Sequence, residues 1–149
     1  MFLKKIPNNM NIELNVSCPN VNKNLINSDL KGFINKQRNW CIIKLSPIVD
    51  KRLIDSYYNE GFRQFHCSNT LPVENGGQSG PVLKKHNKEL ITYIKNKYPD
   101  TTIIGGGGIR NWEDILYYKN LGCDYYSLST VLFNPFAFVD LYIDIYKNK

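Results

Sequence analysis

The sequence has little with which to hold a metal. Its four cysteines, Cys18, Cys41, Cys67 and Cys123, form no Cys-x-x-Cys pair, and its two histidines add no ligand spacing, so no zinc or iron–sulfur site is expected. It also lacks any apolar run near the ~20 residues that span a bilayer. The opening Met1-Phe2-Leu3-Lys4-Lys5-Ile6-Pro7 is too short and too soon interrupted for a secretory signal. These absences point to the cytoplasm and to no membrane partner, with reduced thiols, three of the four being inert and buried. A basic block is missing too. The net charge of +6, from 19 Lys plus Arg against 13 Asp plus Glu, is scattered among Asn, Ile and Tyr, so no nucleic-acid partner is expected. A positive field of that kind favours a small anionic substrate or cofactor.

What is present is a repeated unit. With 149 residues, 42% of them hydrophobic, the chain suits one domain, residues 1–149, with a real core. Ile12 to Val16 alternates as a strand, and Ser28 to Gln37 reads as a weak helix capped by Ser28 or Asp29. Trp40 to Ser46 is a second strand, and Asp50 caps a helix to about Asn59, closed by Gly61. Arg63 to Cys67 is a third strand, followed by a long glycine-rich loop, Asn75-Gly76-Gly77-Gln78-Ser79-Gly80-Pro81. A helix from about Lys84 to Lys97 leads to a strand, Thr101 to Ile104, that runs into four glycines, Gly105 to Gly108. Asn111 and Asp114 form a cap-like pair for the next helix, which Gly122 ends. Tyr125 to Leu128 is a fifth strand, and Asn134-Pro135 starts a last helix with Phe138, Leu141, Ile145 and Tyr146 inward.

Five short apolar strands alternating with helices predict an α/β fold with a parallel sheet. The count suits an open flavodoxin-like sheet as well as a TIM barrel. Both place function at the carboxyl ends of the strands.

Polar residues gather at those ends. The first strand stops in Asn15, Ser17, Cys18 and Asn20, and Asn69-Thr70 follows the third. Amide side chains there offer donors and acceptors together. Lys44 is a charge inside an apolar strand, costly unless it meets an anion or a polar mouth. Gly105 to Gly108 leaves a strand for a helix, so backbone N–H groups can close on an anion. Ser129 and Thr130, after the fifth strand, are placed to close the same pocket.

Asn15-Val16-Ser17-Cys18-Pro19-Asn20-Val21, Ile43-Lys44-Leu45-Ser46-Pro47, Asn69-Thr70, Gly76-Gly77-Gln78-Ser79-Gly80-Pro81 and Ile103 to Ile109 resemble, in order and spacing, the dihydroorotate dehydrogenase family. The likeness runs from about Ile12 to Phe133. It implies a partial (β/α)8 TIM barrel whose five βα units correspond to strands four to eight, and FMN-dependent oxidation of dihydroorotate to orotate in pyrimidine biosynthesis.

By the resemblance, Cys18 is the catalytic base, as in the class-1 branch, and FMN accepts the hydride. Asn15, Asn20, Asn69 and Thr70 bind substrate, and Lys44 lies near the flavin N1 and C2 carbonyl. Gly80, Gly105, Gly106, Gly107, Ser129 and Thr130 also bind the cofactor. Gln78 and Ser129 depart from the family's usual Leu and Gly. A complete barrel needs about 250 residues. The expectation is therefore an incomplete barrel that needs an amino-terminal half, a complementing chain or a homo-oligomer to cover its edges. The competing expectation is a noncatalytic remnant or interaction protein that binds no flavin.

Overall fold

The computed structural model describes residues 6–16, 30–74 and 76–148. Five strands form one parallel sheet in the order β1 (Ile12–Asn15), β2 (Cys41–Lys44), β3 (Gln64–Cys67), β6 (Thr102–Gly106) and β7 (Tyr125–Ser127). Between β3 and β6, β4 (Leu71–Val73) and β5 (Gly76–Gln78) pair antiparallel as a separate hairpin. The helices are α1 (Lys51–Glu60), α2 (Leu83–Lys97), α3 (Trp112–Asn120) and α4 (Pro135–Lys147). Strands thus follow one another across the sheet with a helix between most neighbours, which is the expected βα repeat.

Local chemistry sets the helix ends. Asp50 accepts from the Arg52 N–H at 2.9 Å and opens α1. At its other end Gly61 adopts φ 112°, and the N–H groups of Gly61 and Phe62 bond back to Tyr58 and Tyr57. Phe62 then packs edge-on against Tyr57 with ring centres 6.3 Å apart, so the cap delivers a buried aromatic to the core. Asn111 accepts from the Asp114 N–H at 3.0 Å to start α3, and Asn134 with Pro135 starts α4.

Alternation sorts the sheet's two faces. Ile43, Leu45, Phe65, Cys67 and Ile103, each fully buried, join Ile54, Ile91, Ile94, Tyr118 and Leu141 of the helices in the apolar core. The register places Glu13 and Asn15, Ile42 and Lys44, Gln64 and His66, Ile104 and Gly106, and Tyr125 and Ser127 on the opposite face. Trp40, just before β2, and Tyr125 of β7 meet edge to face at 5.1 Å across that face with two strands between them. The polar face is therefore the inside of a curve.

Three expectations change. Where residues 28–37 are described, the weak helix is a single 3-10 turn, Leu30–Phe33, while Ser28 and Asp29 lie outside the described residues. The glycine-rich loop is partly ordered as the β4–β5 hairpin. In α4 only Leu141 is fully buried, with Ile145 packed beside the core, whereas Phe138 and Tyr146 are exposed.

Asp55 of α1 ties α1 to α2: Tyr93 and Tyr98 donate to it at 2.6 and 2.7 Å, and Lys97 at 2.8 Å. These bonds, that from Lys97 foremost, hold its carboxyl down at about 2. The unfolded value is about 3.9, so this stability is present above pH ~4 and is lost as pH falls through about 2. The thermal midpoint of Asp55→Asn should therefore lie below that of wild type at neutral pH, with the gap closing between pH ~4 and ~2. A gap unchanged by pH would show that the ionised carboxylate contributes nothing.

Candidate functional site

Asn15, Lys44 and His66 stand side by side on three adjacent strands. Lys44 Nζ pairs with Glu13 Oε1 at 3.5 Å, and the same carboxylate accepts from His66 Nδ1 through Oε2 at 2.7 Å. Asn69 Nδ2 donates to Asn15 Oδ1 at 3.2 Å, bridging the carboxyl ends of β1 and β3 over β2. The Asn69 side chain also accepts from the Thr70 N–H at 2.9 Å, and the Thr70 side chain fills the space that a side chain on Gly77 would need. Asn15, Lys44, Asn69 and Thr70 are thus brought to one end of the sheet. Cys18 and Asn20, together with Ser17 and Pro19, lie outside the described residues.

His66 and Glu13 had escaped the sequence reading. The signal was available, because both are polar residues inside short strands, the same feature that singled out Lys44. The His66 side chain is 8% exposed. Burial pulls the imidazole below its ordinary pKa, against the pull of the Glu13 hydrogen bond and charge. The ring is therefore neutral at pH 7, with its proton on Nδ1 toward Glu13, and Nε2 is a buried acceptor with no partner among the described residues.

The second half of the site is the turn after β6. Gly106 O accepts from Asn87 Nδ2 at 2.7 Å and from the Tyr118 hydroxyl at 2.5 Å, and Gly107 O accepts from the same hydroxyl at 2.8 Å. Burial pushes the Tyr118 phenol up to about 12, so it remains a donor at neutral pH. Among the described residues all the peptide bonds are trans. A carbonyl drawn inward therefore turns the next N–H outward, and the N–H groups of Gly107 and Gly108 point away from Tyr118. Gly107 and Gly108 adopt φ 89° and 75°, the left-handed region that glycine tolerates. Arg110 N–H donates to Asp114 at 2.8 Å, and Asp114 is ion-paired with Lys84 of α2, which fixes the far side of the turn.

Gly105 and Gly106 sit where a side chain would be crowded, whereas a Cβ on Gly80 would meet open space. A Cβ on Gly105 would meet Cys123 Sγ at 2.5 Å, on the helix side of the sheet, and one on Gly106 would meet Ser127 O at 2.7 Å. Gly80 is buried with φ 94°, and its carbonyl oxygen lies 2.7 Å from where a Gly108 Cβ would stand. The register of Gly106 with Ser127 sets the turn after β7, with exposed Ser129 and half-buried Thr130, beside the turn after β6. Asn87 and Tyr118 are also functional candidates that the sequence reading passed over. Asn87 is a polar residue on the apolar stripe of α2 between Leu83 and Leu90, and that mismatch was its signal.

The other cysteines are poor nucleophiles. Burial raises the Cys41 and Cys67 thiols and pushes Cys123 up to about 12. Among the described residues no helix is long and apolar enough to cross a membrane.

No protein-family model matches the chain. It is 29% identical to the catalytic subunit of dihydroorotate dehydrogenase B (NAD(+)) from Oceanobacillus iheyensis, over 87% of this chain and 51% of that protein. The corresponding subunit from Endomicrobium trichonymphae is 31% identical, over 93% of this chain and 54% of its own length. That from Petrotoga mobilis is 30% identical, over 87% and 52%. The chain spans about half the length of the curated relatives it matches. Among solved structures, DHODH from Eimeria tenella in complex with ferulenol aligns with a TM-score of 0.59 at 18% identity, over 70% of this chain and 32% of that one. Its ligand-free form gives 0.58 at 19%, over 70% and 34%. Those neighbours are TIM barrels, so the curved sheet is part of a barrel of that kind.

Proposed function

We propose that this chain, related to the dihydroorotate dehydrogenases over most of its length, carries the base, flavin and phosphate side of an FMN-dependent site that oxidises dihydroorotate to orotate. The observation that supports it most is one of placement. A lysine, two bridged amides and a turn with two outward-facing N–H groups share the carboxyl end of one parallel sheet. That donor set fits an anionic flavin nucleotide: the N–H groups of Gly107 and Gly108 suit a phosphate, and Lys44 suits the negative charge of a reduced ring.

In this reading FMN, when bound, supplies the hydride acceptor. Cys18 removes the proton next to the substrate carbonyl, on the side away from the cofactor. Asn15, Asn20, Asn69 and Thr70 hold the imide and carboxylate edges of the substrate. Gly105, Gly106, Gly107, Ser129 and Thr130 line the phosphate pocket, Gly80 shapes its wall, and Lys44 holds its charge beside the ring. The whole of 1–149 acts as one incomplete domain. Its edge strands β1 and β7 are covered by a complementing chain or a second copy.

The experiment is flavin retention. Purified protein mixed with FMN and passed over a desalting column should keep the flavin absorbance, and Lys44→Ala should weaken binding by about 10- to 100-fold, the loss of one charge-assisted contact. In a preparation that turns over dihydroorotate, Cys18→Ala should abolish oxidation and leave flavin bound. Protein that leaves the column colourless would sink the flavin reading in favour of a noncatalytic interaction protein, and flavin loss in Cys18→Ala would remove that residue as base.

A further inference from the structure

We propose that α4 is a dimerisation helix, whose outward face packs antiparallel against the same face of a second copy of this chain. The inward face is settled: Leu141 is fully buried, with Ala137 and Ile145 packed beside the core on either side of it. At about 100° per residue, Phe136, Val139, Ile143 and Tyr146 all lie within ~40° of the direction opposite Leu141. They are 85%, 53%, 42% and 72% exposed, and Tyr142 on their flank is 63% exposed. Only Asp140, Asp144 and Lys147 interrupt the apolar surface, as a strip along the other flank. A helix that is apolar nearly all round belongs in an interior.

The pattern of the stripe identifies its occupant. Its members are three, four and three residues apart, the spacing of a helix–helix seam. They also read aromatic, β-branched, β-branched, aromatic in both directions. An antiparallel twofold pairing centred on residue 141 therefore sets Phe136 of each copy against Tyr146 of the other, and Val139 against Ile143. Such self-complementarity is what an isologous interface requires. Charge argues against an anionic membrane as the occupant, because the polar strip holds two carboxylates and one ammonium, whereas interfacial helices carry Lys and Arg there. The area is sufficient as well. At about 200 Å² for an aromatic side chain, the stripe and Tyr142 present roughly 500 Å² per copy. Pairing removes about 1,000 Å² in all, the size at which specific interfaces begin.

Completing the barrel would not cover this face. The helices of such a barrel form an outer ring and meet their neighbours sideways, whereas the stripe points directly away from the sheet. The proposal is thus independent of the flavin reading and of whatever covers the edges of β1 and β7.

The test is sedimentation equilibrium of the wild-type chain and of Ile143→Glu. The wild type should dimerise in the micromolar range. Ile143→Glu places a charge in the seam at an exposed position, so it should weaken association at least tenfold with an unchanged circular dichroism spectrum. Should that variant misfold, cross-linking decides. Phe136→Cys mixed with Tyr146→Cys should give an interchain 136–146 disulfide on oxidation, mapped by peptide mass spectrometry. Neither variant alone should link through its new cysteine, because like positions lie ~15 Å apart along an antiparallel pair. A wild-type chain that stays monomeric at ~100 μM would overturn the proposal, since even a weak interface of this size is filled there. So would a dimer that a folded Ile143→Glu leaves intact, which would move the interface to the sheet edges, and so would cross-linking of each cysteine variant alone. Binding of a monomer to phosphatidylserine vesicles would likewise overturn it and assign the face to a membrane.

Discussion

Gly108→Ala should lower the unfolding free energy by about 3 kcal/mol or more. Two costs add. Residue 108 sits at φ 75°, where a side chain costs roughly 1–2 kcal/mol. The new methyl would also stand 2.7 Å from Gly80 O and 2.8 Å from the Pro81 Cα. Those are backbone atoms, so no rotamer change relieves the contact. Gly80 is itself held at φ 94°, and its carbonyl accepts from the Leu83 N–H at 3.1 Å where α2 begins. Moving it would disturb the helix. Gly122→Ala isolates the first cost. Its φ is 90°, but its nearest neighbours are Lys95 side-chain atoms at 3.5 Å or more, so about 1 kcal/mol is expected. Urea unfolding followed by circular dichroism compares the two. Equal losses would mean that the turns at Gly80 and Gly108 do not touch. The same substitution should weaken FMN, because the amides of Gly107 and Gly108 could not hold their outward setting.

Elements with strong local signals could be read from the chain alone. Asp50, Asn111 and Asn134 cap helices as expected, and Gly61 closes α1. The β4–β5 hairpin, Leu71-Pro72-Val73 against Gly76-Gly77-Gln78, could not be read, because Pro72, Gly76 and Gly77 are residues that strands avoid. It forms where Thr70 needs the space beside Gly77, a contact no local pattern announces. Helix α4 misled for the opposite reason. Phe136, Phe138, Val139, Leu141, Tyr142, Ile143, Ile145 and Tyr146 are apolar on several sides of the helix, so periodicity cannot choose the inward face. The site was half legible. Lys44, Asn15 and Asn69 stood out as polar strand ends, while His66 matters through Glu13, 53 positions away. Tyr118 matters through carbonyls 11 and 12 positions away. Pairings of that range belong to topology, and composition does not reveal them.

The His66–Glu13 pair makes the last expectation a matter of pH. In the folded chain His66 resists protonation, because burial outweighs the Glu13 hydrogen bond and charge. In the unfolded chain it titrates near 6.5. Above that pH both states carry a neutral ring, and its contribution is constant. As pH falls below ~6.5 the unfolded chain takes up a proton that the folded chain refuses, so stability drops until the folded pKa is passed. For one proton the slope cannot exceed about 1.4 kcal/mol per pH unit. His66→Gln keeps an N–H to donate to Glu13 and cannot titrate there, so its unfolding midpoint should decline less between pH ~7 and ~5 than that of wild type. Glu13→Gln should do the reverse. Without the carboxylate the imidazole loses the two influences that raise its pKa, and the acid loss should extend to lower pH. Lys44 loses its ion pair in the same variant, so its flavin affinity should change with its stability, whereas His66→Gln leaves that ion pair in place. Urea midpoints at each pH for the three proteins decide the matter, and parallel pH profiles for wild type and His66→Gln would show that His66 is not the titrating group.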